Sequence, residues 1–489
     1  MKVKSYVYGI LFTSLILVLF GCNSNENIRQ NEKKTDKGHI ENKVEKADKK
    51  EDSKSEKDFT KNLKSLNTDN QKIGMTENKN SKVIDLSDLS SIKLNGLKYE
   101  GDKLTIKKSG TYEFKGKVSE KQIFIDASDD DEIKIILKGV KISNSDFSAI
   151  HINRAKSIVV NLDKNTKNDL TVSGEFSDED FDSVIFSEVS LIFEGEGKLD
   201  ISSENGTGIE TKDILTVKGG NYNINSSNHA FKGKNSVIIE NGKLNLKTGK
   251  DGINCENSSD FTKGSIIIKN GDFSIVSGEE AFDAVNNVTI SGGLINVLNS
   301  NEGIEAESID IKGGKINITS IDDGINASSI DKMEIELGER VSKKTAQESA
   351  YISVSGGKTV INSGTDGVDS NGYFYMSGGK LNILGPSEEG NSAIDYDERA
   401  EITGGKIIAT GSVKKAQGFS SGSSQASIFV IFSDINRGKI EVIDQDRNVL
   451  LKEDHDKDFQ SAVISIDSMI KDAIYKVVTD DEIIEVVAE

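Results

Sequence analysis

Between Gly206 and Thr410, short runs of alternating apolar and polar residues recur, and each run is anchored by one central apolar position. The anchors lie in a repeated phrase: Gly208-Ile209-Glu210, Ala230-Phe231-Lys232, Gly252-Ile253-Asn254 and Ala281-Phe282-Asp283. The same phrase returns at Gly303-Ile304-Glu305, Gly324-Ile325-Asn326, Gly367-Val368-Asp369 and Ala393-Ile394-Asp395. A second phrase ending in glycine falls between them, at Gly219-Gly220, Asn241-Gly242, Asn270-Gly271, Gly292-Gly293, Gly313-Gly314, Gly356-Gly357, Gly378-Gly379 and Gly404-Gly405. From its second glycine to the next anchor (Gly220 to Phe231, Gly242 to Ile253, Gly271 to Phe282, Gly293 to Ile304) the step is 11 residues. Alternation of period two predicts strands, and glycine at fixed offsets predicts corners. A repeat of about 22 residues built this way predicts coils of a parallel β-helix. The expected fold is therefore all-β, a right-handed parallel β-helix.

The flanks are less regular. From Ser81 to Gly174, runs such as Lys103-Leu104-Thr105-Ile106, Gln122-Ile123-Phe124-Ile125 and Ile133-Lys134-Ile135-Ile136-Leu137 predict short strands of a first coil set. Ala149-Ile150-His151 and Val184-Ile185-Phe186 resemble early, degenerate copies of the anchor phrase. Beyond Gly411 the repeat fails again. Apolar runs at Ile428–Phe432, Lys439–Ile443, Ala462–Ile466, Ile474–Val478 and Ile483–Val487 predict a C-terminal antiparallel β cap over the last coil. Such a cap removes an open strand edge that would otherwise pair with other chains. The expected division is β-helix over 81–411 and cap over 412–489.

The N-terminus carries a different pattern. Lys2 and Lys4 precede an apolar run from Tyr6 to Phe20, which ends in Leu19-Phe20-Gly21-Cys22. This predicts a leader over 1–22, and its end resembles a bacterial lipobox, with Cys22 as the lipidated residue. Residues 23–80 are Lys, Glu, Asp, Asn and Ser with few apolar positions, which predicts a disordered charged linker. The expected location is the extracellular face of the bacterial membrane, reached only through the lipid anchor, with the protein a monomer.

Composition then narrows the partners. The chain of 489 residues has a net charge of −19, and Lys and Arg slightly exceed Asp and Glu before Ser81, so the acidity lies in the repeat region. A basic stripe for nucleic-acid phosphates is missing, which excludes that class of partner. A single proline and 45 glycines suit stacked strands with tight corners. The two cysteines are too few for a disulfide framework.

The order of these motifs resembles a known family. Ser109-Gly110-Thr111-Tyr112 and Leu137-Lys138-Gly139-Val140 come first, then Asp163-Lys164-Asn165-Thr166-Lys167-Asn168-Asp169-Leu170. The Asp-Gly-Ile and Gly-Gly phrases follow, and Ala416-Gln417-Gly418-Phe419-Ser420 precedes the final strands. From Ser81 onward the chain is similar to the carbohydrate-binding parallel β-helix proteins of bacterial surfaces, whose fold is akin to pectate lyases. The resemblance implies binding of cellulose-like or pectic polysaccharide, calcium on the helix, and no lyase activity.

The residues themselves carry an acidic row. Two positions before successive anchors stand Asp251, Glu280, Glu302, Asp323 and Asp366; one position after them stand Asn254, Asp283, Glu305, Asn326 and Asp369. Glu279 and Asp322 extend the row. Coils stack about 4.7–4.9 Å apart, which would hold these carboxylates at a repulsive spacing. That spacing also suits opposite ligands of Ca²⁺, which takes oxygens at about 2.3–2.6 Å. Oxygen ligands without His or Cys favour Ca²⁺ over zinc or copper. A lone Asp-Gly is ordinary turn chemistry, but Glu is a poor turn former and recurs here. The candidate ligands are Asp251, Glu280, Asp283, Glu302, Glu305, Asp323, Asp366 and Asp369.

Two longer segments leave from the same phrase, Ile253 to Gly271 at 18 residues and Ile325 to Gly357 at 32. Insertions on one face of a solenoid often mark its binding face. With no tryptophan, sugar stacking falls to tyrosine, and Tyr373 and Tyr375 share one face of a strand. A lyase would need a base beside the cation, for which Lys232 and Lys250 are the candidates. His151 and His229 show no partner in the sequence, and Cys255 reads as a small buried residue. The expected function is a surface-anchored, calcium-stabilised polysaccharide-binding protein without catalysis. A pectate-lyase-like enzyme and a structural adhesin are the alternatives.

Overall fold

The computed structural model describes residues 81–91, 95–328 and 350–489. The expected leader, Cys22 and linker, and most of the second long segment (329–349), lie outside the described residues.

The anchor phrases stack into one parallel ladder. Ile123 pairs in register with Ile150, and the chain of partners continues through Ile185, Ile209, Phe231, Ile253, Phe282, Ile304, Ile325, Val368 and Ile394. The two degenerate early copies are therefore true coils of the stack. Two further parallel stacks complete each turn. One runs from Ser157–Leu162 through Ile214–Val217 and Ser236–Ile239 to Arg399–Ile402; the other runs from Lys167–Val172 through Asn221–Ser226 to Lys406–Gly411. The protein is a parallel β-helix of three strand stacks.

Alternation explains why the stack holds. Each strand turns one set of side chains inward, and Ile253, Phe282, Ile304, Ile325 and Val368 are fully buried in a continuous core. Burying one such side chain contributes roughly 1.5–3 kcal/mol. Tyr222 fills the interior as well, with its hydroxyl donating to the Gly219 carbonyl at 2.8 Å.

The two recurrent phrases have different causes. Gly314 takes φ of +94°, in the left-handed region that the corner after each Gly-Gly requires. Gly303 has no such torsion; a Cβ there would sit 2.3 Å from the Gly324 carbonyl oxygen of the next coil. The first glycine type serves a turn, and the second serves close stacking.

The last coil strand, Lys406–Gly411, pairs antiparallel with Val449–Ser465, which pairs antiparallel with Ser427–Ile443. Ile474–Thr479 and Ile483–Val487 add to that layer, around a second apolar core. Where the sequence predicts separate strands at Ile428–Phe432 and Lys439–Ile443, one long strand runs. Register shifts between Ile431 and Gly438 absorb the polar interruption. Such bulges bend a strand without ending it.

Candidate functional site

The residue that follows each anchor forms its own ladder. In order it reads Phe124, His151, Phe186, Glu210, Lys232, Asn254, Asp283, Glu305, Asn326, Asp369 and Asp395. Two residues before each anchor, the same coils carry Ser148, Ser183, Thr207, His229, Asp251, Glu280, Glu302, Asp323, Asp366 and Ser392. One edge of the first stack thus changes from aromatic and hydroxyl groups to carboxylates along its length.

The acidic half contains three groups whose potential ligand atoms lie within 4.8 Å of one another: Asp251 with Glu279 and Glu280, Glu280 with Glu302 and Glu305, and Asp323 with Asp366 and Asp369. Asp283 stands between the first two groups, receiving a hydrogen bond at 2.7 Å from the Asn254 amide, which also donates to Asp251 at 2.9 Å. Asn326 likewise donates to Glu302 at 3.1 Å. A cavity of about 180 Å³ opens beside this edge, lined by Glu256, Asp283, Glu305, Glu307 and Ser328. Glu256 belongs to the first long segment, which leaves directly after the strand Ile253–Cys255. Cys255 is buried, and that burial pushes its thiol up out of the reactive range.

Packing these carboxylates together disfavours their charged forms. Burial, then the charges of Asp251 and Glu305, push Asp283 up to about 8; burial and Glu305 push Glu302 up to about 8. Asp369 rises to about 7 through burial and then Asp323, and Asp366 to about 6 through burial. Burial followed by Asp251 drives Glu280 strongly upward. Asp251 moves the other way: burial opposes its ionisation, but His229, Glu280 and Asn254 outweigh it. His229 Nδ1 stands 3.1 Å from Asp251 Oδ2, but without hydrogen-bond alignment.

The donor set fits a hard cation. The groups are oxygen-rich, and the buried Oδ1 atoms of Asn254 and Asn326 have no hydrogen-bond partner among the described residues. Orphaned buried acceptors cost roughly 1–3 kcal/mol each unless something satisfies them. Oxygen ligands of this kind suit Ca²⁺, with Asp251, Glu279, Glu280, Glu302, Glu305, Asp323, Asp366 and Asp369 as the residues that would hold it.

Tyr373 and Tyr375 lie on the second stack, across a corner from Asp369. Their rings stack 5.6 Å apart at 8°, with Phe374 between them fully buried. Arg399 is in register with Tyr373 on the next coil. Lys232 sits on the ladder between Glu210 and Asn254, whereas Lys250 is exposed at the surface.

Sequence reasoning missed the partners of both histidines. His229 meets Asp251 one coil on, a separation equal to the coil period that could have revealed it. His151 packs between Phe124 and Phe186, each ring centroid 5.1 Å away, with Phe181 edge-on at 4.9 Å. Burial and the nearby Lys103 charge lower its pKa to about 4, so the ring is neutral at pH 7.

Comparison with known proteins places the chain among carbohydrate-binding domains. The carbohydrate-binding domain-containing protein family matches residues 100–349. A carbohydrate-binding domain-containing protein of Acetivibrio thermocellus is 28% identical over 151 residues, which is 30% of this chain and 53% of that protein. The chain thus spans about half the length of that relative. A solved structure, described as a polysaccharide lyase-like protein from C. thermocellum in a gadolinium derivative, is 27% identical. The likeness covers 48% of this chain and 92% of that one, with a TM-score of 0.41. Because the family match takes in just over half of the residues, the chain belongs to the carbohydrate-binding domain-containing family.

Proposed function

We propose that this is a non-catalytic polysaccharide-binding protein of the bacterial surface, anchored through Cys22, whose acidic ladder uses Ca²⁺ to bind a cellulose-like or pectic glycan. The observation that supports it most is the set of carboxylate groups in register beside two buried, unpartnered asparagine oxygens. Bound there, Ca²⁺ would supply positive charge and open coordination positions for uronate or hydroxyl oxygens. The protein's own part is to hold ligand oxygens at the coil spacing and to keep Asp251 ionised beside His229. A chain of net charge −19 repels a polyuronate on its own, so an acidic glycan binds only with the cation.

The full chain, run through gels containing polygalacturonate, tests this. Retardation is expected in calcium, with loss in EGTA and in Glu280→Gln/Glu302→Gln. Equal retardation in EGTA would remove the cation from the reading; no affinity for any polymer, with cell attachment retained, would favour an adhesin.

Lys232, placed on the ladder beside Asn254, makes a pectate-lyase-like enzyme the second reading. Incubation with polygalacturonate and calcium is expected to give no unsaturated product. A product signal that disappears in Lys232→Ala would establish the enzyme instead.

A further inference from the structure

The opposite end of the same ladder holds a cavity of about 260 Å³ that the acidic row does not touch. Four rings line it: Phe147, Phe176, Phe181 and His151. Its polar lining includes Ser148 and Gln122, which are 2% and 5% exposed. Gln122 Nε2 donates to the Ser148 carbonyl at 3.0 Å, which fixes the amide. Ser148 Oγ has no hydrogen-bond partner among the described residues. A buried hydroxyl without a partner is costly, and because Ser148 lines the cavity, rotation of its side chain toward the opening would let a ligand hydroxyl satisfy it. Asp102, Asp146 and Asp178 also line the cavity, and the Lys103 ammonium lies over the Phe124 ring at 4.7 Å.

These features select among ligand classes. Drug-sized ligands occupy roughly 300–1,000 Å³, so this cavity takes a single ring unit. Carboxylates in the lining repel phosphate and uronate groups. They also bring too much polarity for a purely apolar guest. The Lys103 ammonium offsets one of these carboxylates and takes up the Phe124 ring face, and competition by choline separates a neutral guest from a cation. A neutral pyranose fits what remains. Its faces carry C–H groups that pack on the negative faces of aromatic rings, and its hydroxyls both donate to carboxylates and accept from or donate to Ser148 and Gln122.

We infer that this cavity is a neutral-sugar subsite, independent of the cation ladder, which seats one pyranose ring of a glycan against Phe147, Phe176, Phe181 and His151 and hydrogen-bonds it through Ser148. The inference rests on the reading of the protein as a glycan binder. His151 is four coil steps from Asn254 along the ladder, roughly 19 Å at the usual strand spacing. One extended polymer lying along this edge would meet both ends.

The test is calorimetric titration of the full chain with neutral β-linked oligosaccharides (cellotetraose, xylotetraose and mannotetraose) in calcium and in EGTA. At least one is expected to bind equally in both. Phe181→Ala should weaken it about tenfold or more, and Ser148→Ala several-fold. Ser148→Ala removes only an unpartnered hydroxyl, so its thermal melt should equal or exceed that of the parent and separate binding from folding. Glu280→Gln/Glu302→Gln should leave neutral binding unchanged. Retained polygalacturonate binding with no affinity for any neutral oligosaccharide would overturn the subsite alone. Neutral binding that is lost in EGTA but survives Phe181→Ala and Ser148→Ala would place it on the acidic ladder and also overturn it. Displacement of the sugar by choline would mark the cavity as a cation cage, a third overturning result. Failure of polygalacturonate together with normal neutral binding would remove the calcium reading and leave the subsite standing.

Discussion

The two halves of one strand edge solve the same backbone problem with opposite chemistry. In the early coils the position two before the anchor is Ser148, Ser183 or Thr207; in the later coils it is Asp251, Glu280, Glu302, Asp323 or Asp366. The anchors on both sides are equally buried and in register. The turn is therefore built without a carboxylate wherever the early coils build it, and turn chemistry does not explain the later row. The same holds one position after the anchor. Phe124, His151 and Phe186 stack with mutual attraction of about 0.5–1.5 kcal/mol per pair, whereas the later carboxylates raise one another's pKa. A solenoid repeats its backbone and leaves its outward positions free, and here that freedom separates an attractive edge from a repulsive one.

Chelating the proposed cation should break this contrast most strongly. A ligand confined to the folded state adds about 2.7 kcal/mol at a hundredfold excess over its dissociation constant. Chelation is expected to lower the unfolding free energy by that order for each site filled, read as a fall in melting temperature. Hydrogen exchange should locate the loss: faster exchange in Phe282–Ile290 and Ile304–Ile311, with Ile150–Arg154 unchanged. Uniform loosening of both halves would refute a cation confined to the acidic coils.

The pH dependence should differ in sign between the halves when calcium is absent. Asp283 and Glu302 near 8, Asp369 near 7 and Asp366 near 6 are all raised above the ordinary carboxylate range. Their stability contribution is complete below about pH 4, the unfolded value, and is lost as pH rises through about 6 to 8. His151, lowered to about 4, behaves oppositely: its contribution is lost as pH falls from about 6.5, the ordinary histidine value. Melting in EGTA should therefore decline from pH 6 to pH 9, and calcium should abolish that decline while releasing protons. A flat profile in EGTA would mean that the carboxylates are not crowded as described.

Single neutralisation is a smaller and more diagnostic change. Glu302→Gln keeps the shape and the hydrogen bond from Asn326 but removes one repelling charge. In EGTA at pH 8 the variant should melt higher than the parent, and in calcium it should melt lower. A change of the same sign in both conditions would assign Glu302 to packing alone.

Legibility in the sequence follows the same division. The later coils were readable because the step from the corner glycine to the next anchor stays at 11 residues even where insertions intervene, so that Asp251, Glu280, Glu302, Asp323 and Asp366 announced their alignment without coordinates. In the ladder's early half Glu210 belonged to the regular phrase, and His151 and Phe186 showed as degenerate copies that strand pairing bears out. Phe124 was not placed on the ladder, because the intervals there are unequal and its register emerges only from strand pairing. The cavity was still less accessible. Phe176 and Phe181 come from an irregular segment, ending in the short turn Glu179–Phe181, which folds back over His151 and Phe186. No period links that segment to Gln122 or Ser148. The positive-φ role of Gly314 could be inferred from its place at a corner, while the close approach at Gly303 needed the neighbouring coil.

The smallest expected effect isolates the aromatic half. His151→Phe would replace a neutral ring by another ring between Phe124 and Phe186. No hydrogen bond is lost if the imidazole serves only as a flat apolar surface, so stability at pH 7 should change by less than about 1.5 kcal/mol, the value of one aromatic pair. The difference should appear at pH 5. There the unfolded parent takes up a proton that the buried ring resists, given its value near 4, and the variant does not. The variant should accordingly be more stable than the parent at pH 5 and nearly equal to it at pH 7. If the two melt alike at both values, His151 is solvated well enough to hold its proton in the folded state, and the aromatic packing of the early half does not set it apart from the acidic one.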